Sequence, residues 1–235
     1  MGFSLCWANH SWTKCAWNGF DKTTMLMKQK YSGAEDHKKH FYDLLETFKD
    51  ERYTRVNGKL LFGIFSPLDI PNINQFISQW NQLAYDNGLN GFYFVALNKN
   101  RTKAKELLSF GYDAVIEDLM DDFRQSCYAY TGLPYRILRK FFGIVFGNDY
   151  KDYCDYIIRN IKCEKGLIPC LYPNWDHSAR SGKLATMFRN AEPVIWGNLC
   201  KEVFKKRASM NREENLIVIK SWNEWGEGNY LEPDR

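Results

Sequence analysis

No stretch of this chain is apolar for long enough to cross a bilayer. Its apolar runs, Phe141–Phe146 among them, are far short of the roughly 20 residues a helical span needs. Histidine is scarce, with four in 235 residues. The seven cysteines, Cys6, Cys15, Cys127, Cys154, Cys163, Cys170 and Cys200, form no CxxC pair and no zinc-type spacing. An odd, scattered set of this kind reads as reduced, mostly buried thiols in a cytoplasmic protein. The opening Met1–Trp7 has no basic n-region, so no signal peptide is expected. No GxGxxG follows the first strand-like run and no GxxxxGK[ST] occurs, which weakens the case for a nucleotide-binding open sheet. Linkers, internal repeats and low-complexity segments are also missing, so a single domain over residues 1–235 is expected. The net charge of +4 is spread over both halves, with no basic stripe and no nucleic-acid-reading motif. Nothing implies a cofactor or a metal.

What is present is a globular balance: 45% hydrophobic and 26% charged residues, ample for a core. Aromatics reach 16%, with eight Trp and fourteen Tyr; they suit either sugar-stacking platforms or an aromatic core. Six strand-like runs recur: Phe3–Trp7, Leu60–Phe65, Gly91–Leu97, Tyr112–Glu117, Leu167–Tyr172 and Leu216–Trp222. Most lack clean alternation, as expected of strands buried on both faces of a parallel sheet. Helical periodicity lies between them. Phe41, Leu44, Leu45 and Phe48 make one apolar face. Ile73, Phe76, Ile77, Trp80, Leu83 and Ala84 make another, with Gly88 as a C′ stop. A helix over Pro193–Lys206 should turn Trp196, Leu199, Cys200, Val203 and Phe204 inward, and another should run from Asp149 to Ile161.

Polar clusters follow the C-terminal ends of these runs: Asn9, His10 and Trp12; Ser66 and Pro67; Asn174 to His177; and the acidic tail. One functional face at the strands' C-terminal ends is the signature of a (β/α)8 TIM-type barrel. The expected fold is therefore α/β, an incomplete barrel of about six βα units. The missing units would leave two bare sheet edges. The chain begins within a strand and stops just after another, so we expect a fragment of a larger barrel, or a reading frame opened at an internal methionine. The stretch Cys127–Lys162 is the least legible. Its basic and aromatic run Tyr135–Phe142 fits either an insertion packed on the barrel rim or contact with a membrane surface.

The tail Ser221–Arg235 carries the clearest chemistry. Glu224 and Glu227 stand three apart among Trp222, Trp225, Gly226 and Gly228. Two close carboxylates flanked by indoles suit acid/base work on a sugar, and at close range they would share a proton. The plainer alternative is that they cap loop amides or pair with arginines.

The run Trp222-Asn223-Glu224-Trp225-Gly226-Glu227-Gly228, followed by Leu231-Glu232-Pro233-Asp234, resembles the WbsX-like proteins of bacterial polysaccharide loci. These are described as glycosyltransferases of lipopolysaccharide O-antigen biosynthesis and as glycoside hydrolase family 99-like proteins. Further blocks agree in order: Cys6-Trp7-Ala8-Asn9, Ser11-Trp12-Thr13, Gln29 with Tyr31, Gly58–Phe62, and Trp175-Asp176 with Arg180. The chain departs from the pattern in having His10 where many members have Glu. Family members usually carry two earlier βα units and a closing helix, which accounts for the missing strands. The resemblance implies neighbouring-group catalysis: Glu224 would deprotonate the sugar's 2-hydroxyl and Glu227 would protonate the leaving oxygen.

Candidate substrate contacts are Asn9, Trp12, Tyr31, Trp175, Asp176, Asn223 and Trp225: amides and carboxylates for hydroxyl pairs, rings for the pyranose face. Trp7 and Trp222, within strands, read as core. Asp176 and His177 lack a third ligand for a metal. The expected partner is an oligosaccharide or polysaccharide, with no nucleic acid. The expected location is the cytoplasm, with peripheral contact at the inner membrane left open by Tyr135–Phe142. A non-catalytic glycan-binding module and an inert barrel fragment remain the competing readings.

Overall fold

The computed structural model describes residues 1–14, 23–98, 104–127, 132–142, 147–182 and 185–233. Apart from the short antiparallel strand Arg55–Val56, the central sheet consists of six strands: β1 (Leu5–Trp7), β2 (Lys59–Ile64), β3 (Phe92–Asn98), β4 (Ala114–Glu117), β5 (Leu167–Leu171) and β6 (Val218–Ile219). Each pairs in parallel with its neighbour in chain order. Sequential parallel pairing requires a crossover between every two strands, and helices supply most of them. They are α1 (Ala34–Lys49), α2 (Ile73–Asp86), α3 (Ala104–Ser109), α4 (Met120–Ser126), α5 (Leu133–Phe142), α6 (Tyr150–Asn160), α7 (Ser178–Ser181) and α8 (Pro193–Arg207). The architecture is α/β, a curled half-barrel of the TIM type, as expected. Among the described residues, β1 pairs only with β2 within the sheet and β6 only with β5, so both edges stand open.

Side-chain alternation sorts the strands into two faces. Leu60, Phe62 and Ile64 of β2 and Phe92, Phe94 and Ala96 of β3 point outward into one core with Phe41, Phe48, Phe76 and Trp80 from α1 and α2. Trp80 is fully buried, and its indole N–H donates to the His37 carbonyl at 3.0 Å. Much of the chain's aromatic content therefore fills this layer. A second outer core joins Phe123, Tyr150, Tyr153, Tyr172, Phe188, Leu199 and Val203. The concave face holds Val56, Tyr93, Val95, Ala114 and Ile168, with Leu61, Leu216 and Val218 against them. Here the expectation of strands buried on both faces is corrected for β2, whose residues alternate half-buried and buried along its length. Its inner face stays partly open because a half-barrel has no opposite wall to cover it.

The sheet is bent enough to bring distant strands together at its N-terminal end. Asn57, in the Asn57-Gly58 turn before β2, donates its backbone N–H to Glu213 Oε2 at 2.7 Å and its side-chain amide to Glu214 Oε1 at 3.1 Å. Both turn residues have positive φ, 50° and 78°, as a two-residue hairpin turn of this hand demands.

The sequence periodicities locate α1, α2, α6 and α8 closely. At the end of α2, Leu89 N–H bonds the Ala84 carbonyl and Gly88 takes φ 76°, the Schellman stop its position implied. In α8 the buried row is Leu199, Val203 and Arg207, at i, i+4 and i+8. Phe204 was expected inside and is exposed, because it sits one step around the helix from this narrow row. Of the run Tyr135–Phe142, Ile137, Phe141 and Phe142 are exposed and Leu138 is half-buried; Leu133, at the start of α5, is also exposed. The last strand is shorter than expected, Val218–Ile219 rather than Leu216–Trp222, because the chain leaves the sheet at Lys220 to build a separate hairpin.

Candidate active site

Beyond β6 the chain forms a small hairpin, pairing Asn223–Glu224 with Asn229–Tyr230 around the 3-10 turn Trp225–Glu227. The Lys220–Ser221 peptide is cis. Ser221 Oγ holds the base of the hairpin, donating to the Asn229 carbonyl at 2.5 Å and accepting the Glu224 backbone N–H at 3.2 Å. The carboxylates thus project from a hairpin beyond the final strand, not from the strand end itself.

The facing wall is the loop after β5, which runs through Trp175 and Asp176 into α7. The Asp176 backbone N–H donates to the Glu227 carbonyl at 2.8 Å, and the Asp176 carboxylate accepts the Ser178 N–H at 2.9 Å to start α7. A glycine allows the approach. A Cβ at Gly228 would meet Asp176 Cβ at 2.8 Å and its backbone N at 2.9 Å, and Gly228 has φ 55°.

One turn into α7, Arg180 reaches both glutamates with the two prongs of its guanidinium: Nη1 to Glu227 Oε1 at 2.9 Å and Nη2 to Glu224 Oε1 at 3.1 Å. The two carboxylates therefore converge, but a guanidinium bridges them where a shared proton was expected. Arginine's planar fork suits this role because its donors are fixed in direction and always charged. His177 Nε2 lies 3.6 Å from Glu227 Oε1, while His177 Nδ1 is 2.6 Å from Ser181 Oγ. Burial pushes His177 below the usual imidazole range, partly offset by the Glu227 charge. The glutamate side chains differ in access, Glu224 at 42% and Glu227 at 17% exposure, so Glu224 presents more of its carboxylate to solvent.

Trp175 adjoins this cluster. Its ring stacks on His177 with centroids 5.7 Å apart, and its indole N–H donates to Thr186 Oγ1 at 3.0 Å. Lys220 Nζ lies 5.3 Å from the Tyr172 ring centroid and 5.6 Å from that of Trp175. Beneath, Tyr172 OH donates to the buried Asp118 carboxylate at 2.5 Å. Asn223 and Trp225 are exposed on the hairpin. Trp222, read from the sequence as core, is 61% exposed because the strand ends before it; Trp225 is 65% exposed. Trp7, by contrast, is half-buried against the outer core.

The remaining candidates gather at the opposite edge of the sheet, after β1. Asn9 is fully buried. Its amide donates to Tyr31 OH at 2.9 Å and the Ser66 carbonyl at 2.8 Å, and its Oδ1 accepts the Ser66 N–H at 2.7 Å. Tyr31 OH in turn donates to the Asn9 carbonyl at 2.6 Å. This amide ties the loops after β1 and β2 together, and both its hydrogens are already engaged. Trp12 is exposed and stacks near His10, with centroids 6.2 Å apart. Sequence reasoning assigned no role to Arg180 or Lys220. The block Trp175-Asp176 with Arg180 was the available signal, but nothing in it specified which residues Arg180 would meet.

The family described as Glycosyltransferase WbsX matches residues 1–235. Two WxcX proteins of Xanthomonas campestris pv. campestris, themselves uncharacterised, are similar over the whole chain. The one from strain B100 is 25% identical and the one from strain ATCC 33913 24% identical, each over 32% of its own length. The chain thus spans about a third of the curated relatives it matches. Among solved structures, the GH99 endo-alpha-mannosidase of Bacteroides thetaiotaomicron superposes with a TM-score of 0.51 at 16% identity, covering 86% of this chain and 54% of that one. That likeness is one of fold.

Proposed function

Because the chain belongs to the WbsX glycosyltransferase family, we propose that it is part of a carbohydrate-active enzyme whose working centre is Glu224, Glu227 and Arg180. The reading rests above all on the convergence of both carboxylates on one guanidinium at the C-terminal end of a half-barrel, the end where barrels of this type carry their chemistry. The substrate class is an oligosaccharide or polysaccharide, gripped by the exposed faces of Trp222 and Trp225 with Asn223, Trp175 and Asp176 alongside. The context is assembly of bacterial surface polysaccharide, of the lipopolysaccharide O-antigen type, in the cytoplasm or against the inner membrane.

On this reading Glu224, the more accessible carboxylate, removes the proton from the sugar's 2-hydroxyl, whose oxygen attacks the anomeric carbon. Glu227 delivers a proton to the departing glycosidic oxygen. Water or an acceptor hydroxyl then opens the strained intermediate, which separates hydrolysis from transfer. Arg180 holds the two side chains in register beforehand and balances the charge of Glu224, while Glu227 enters the step in its protonated form.

The arginine pairing also favours a second reading, a glycan-binding module without turnover, since carboxylates held by a guanidinium form a rigid polar wall. Assaying the chain for release of reducing ends and for transfer from activated sugars separates the two. General acid catalysis is worth about 10²–10⁴ in rate, so Glu227→Gln should lower turnover by that order and leave glycan binding near its starting value. Turnover that survives Glu227→Gln would sink the catalytic reading; binding with no turnover in the parent chain would favour the module.

A further inference from the structure

Two of the exposed apolar segments of the half-barrel carry cations and no carboxylate. Helix α5 lies in the connection that leaves the C-terminal end of β4 and enters α6, whose first residue, Tyr150, donates its hydroxyl to the Tyr172 carbonyl just beyond β5. The elements on either side of it in the chain thus lie at the same end of the sheet as Glu224 and Glu227. Along it, Leu133, Ile137 and Phe141 recur at i, i+4 and i+8 and are 66%, 45% and 70% exposed; Phe142 is 71% exposed. With about 100° between successive positions, those of Arg136, Arg139 and Lys140 share the arc that flanks this row. The Lys140 ammonium sits 5.5 Å from the Phe141 ring centroid. The helix carries no carboxylate.

A second segment repeats this chemistry at the same end. The ribbon after β1 pairs Trp12–Thr13 with Met25–Met27. Trp12, Met25, Leu26 and Met27 are all exposed, followed by exposed Lys28 and Lys30 and again no carboxylate in 23–31. A water-facing helix would not normally leave two adjacent phenylalanines bare, and exposed apolar side chains beside exposed Lys140, Lys28 and Lys30, with no carboxylate in either segment, match the boundary of an anionic bilayer.

We propose that this end of the molecule docks on an anionic membrane surface, with α5 lying in the interface and Met25–Met27 as a second contact, so that the mouth faces the lipid headgroups. The inference deepens the reading of an enzyme working against the inner membrane. It rests on α5 and the ribbon rather than on the glutamate pair, so vesicle binding and turnover can fail separately.

The test is co-sedimentation of the 235-residue chain with vesicles of phosphatidylglycerol and phosphatidylethanolamine, and with phosphatidylcholine vesicles as the uncharged control. Binding should be confined to the anionic vesicles and weaken as salt rises. Phe141→Gln with Phe142→Gln should lower partitioning by about tenfold per residue, and Arg139→Gln with Lys140→Gln by on the order of 30-fold together. Circular dichroism checks that each variant stays folded. Phe141→Trp supplies a positive readout: the introduced indole's fluorescence should be quenched by brominated phosphatidylglycerol. Equal binding to phosphatidylcholine, no binding at all, or an indole emission that the brominated lipid leaves unchanged would overturn the proposal. So would a dimer in light scattering that the Phe141/Phe142 change dissolves, since a second copy would then cover the face.

Discussion

Arg180 and Gly226 approach so closely that a Cβ at position 226 would lie 2.8 Å from Arg180 Nη2. The glycine is thus part of the mould that holds the guanidinium against both glutamates. Gly226→Ala meets only the far end of a flexible side chain, so Arg180 should swing aside at little cost to stability. We expect thermal unfolding within a few degrees of the parent and a loss of activity or glycan affinity. Gly228→Ala differs, because it meets Asp176 backbone and must hold φ 55°. A left-handed non-glycine residue alone costs roughly 1–2 kcal/mol, so this variant should unfold measurably earlier.

Trp222 and Trp225 stand clear of the core, so truncating them should cost little stability. If they cover a sugar ring, Trp222→Ala and Trp225→Ala should each weaken glycan binding on the order of tenfold. Titration calorimetry with an oligosaccharide that binds the parent chain reads this directly; unchanged affinity in both would remove the indoles from the site.

Trp80 makes the opposite case. Fully buried among Phe41, Phe48, Phe62, Phe76 and Phe92, it should cost about 3–5 kcal/mol when cut to Ala, read from the urea midpoint. A loss below about 1 kcal/mol would mean that this outer layer is loosely packed.

Acidification should destabilise the fold. Burial lowers His37, His40 and His177 below the ordinary value of 6.5, so below that pH the unfolded chain binds protons that the folded chain resists. Stability contributed by these residues is complete above pH 6.5, starts to fall as pH drops beneath it, and levels off once the folded values are passed. Urea unfolding from about pH 7.5 down to about pH 5 measures the slope, and His40→Gln should flatten it. A stability that rises on acidification would contradict the burial of these rings.

Particular residues show how far the sequence could be read. The face of α2 was legible to its Gly88 stop, because helix periodicity and glycine's left-handed tolerance are local properties. The parallel sheet followed from the spacing of its strands, since parallel neighbours need crossovers of about helix length. Trp222 was misjudged because an apolar run does not reveal where a strand leaves its sheet. Phe204 was misjudged because the width of a helix's buried stripe depends on the neighbour it packs against.

The alternation of strands and helices, the half-barrel class, the family and the pair of carboxylates in the tail were all readable along the chain. Those rest on short-range spacing and on motif. It took the folded molecule to reveal that Arg180, 44 residues before Glu224 and 47 before Glu227, bridges the two, that Asn9 ties loops together, and that α5 bares its phenylalanines. The reason is physical: which charge neutralises which, and which apolar face finds cover, depends on packing between segments far apart in the chain.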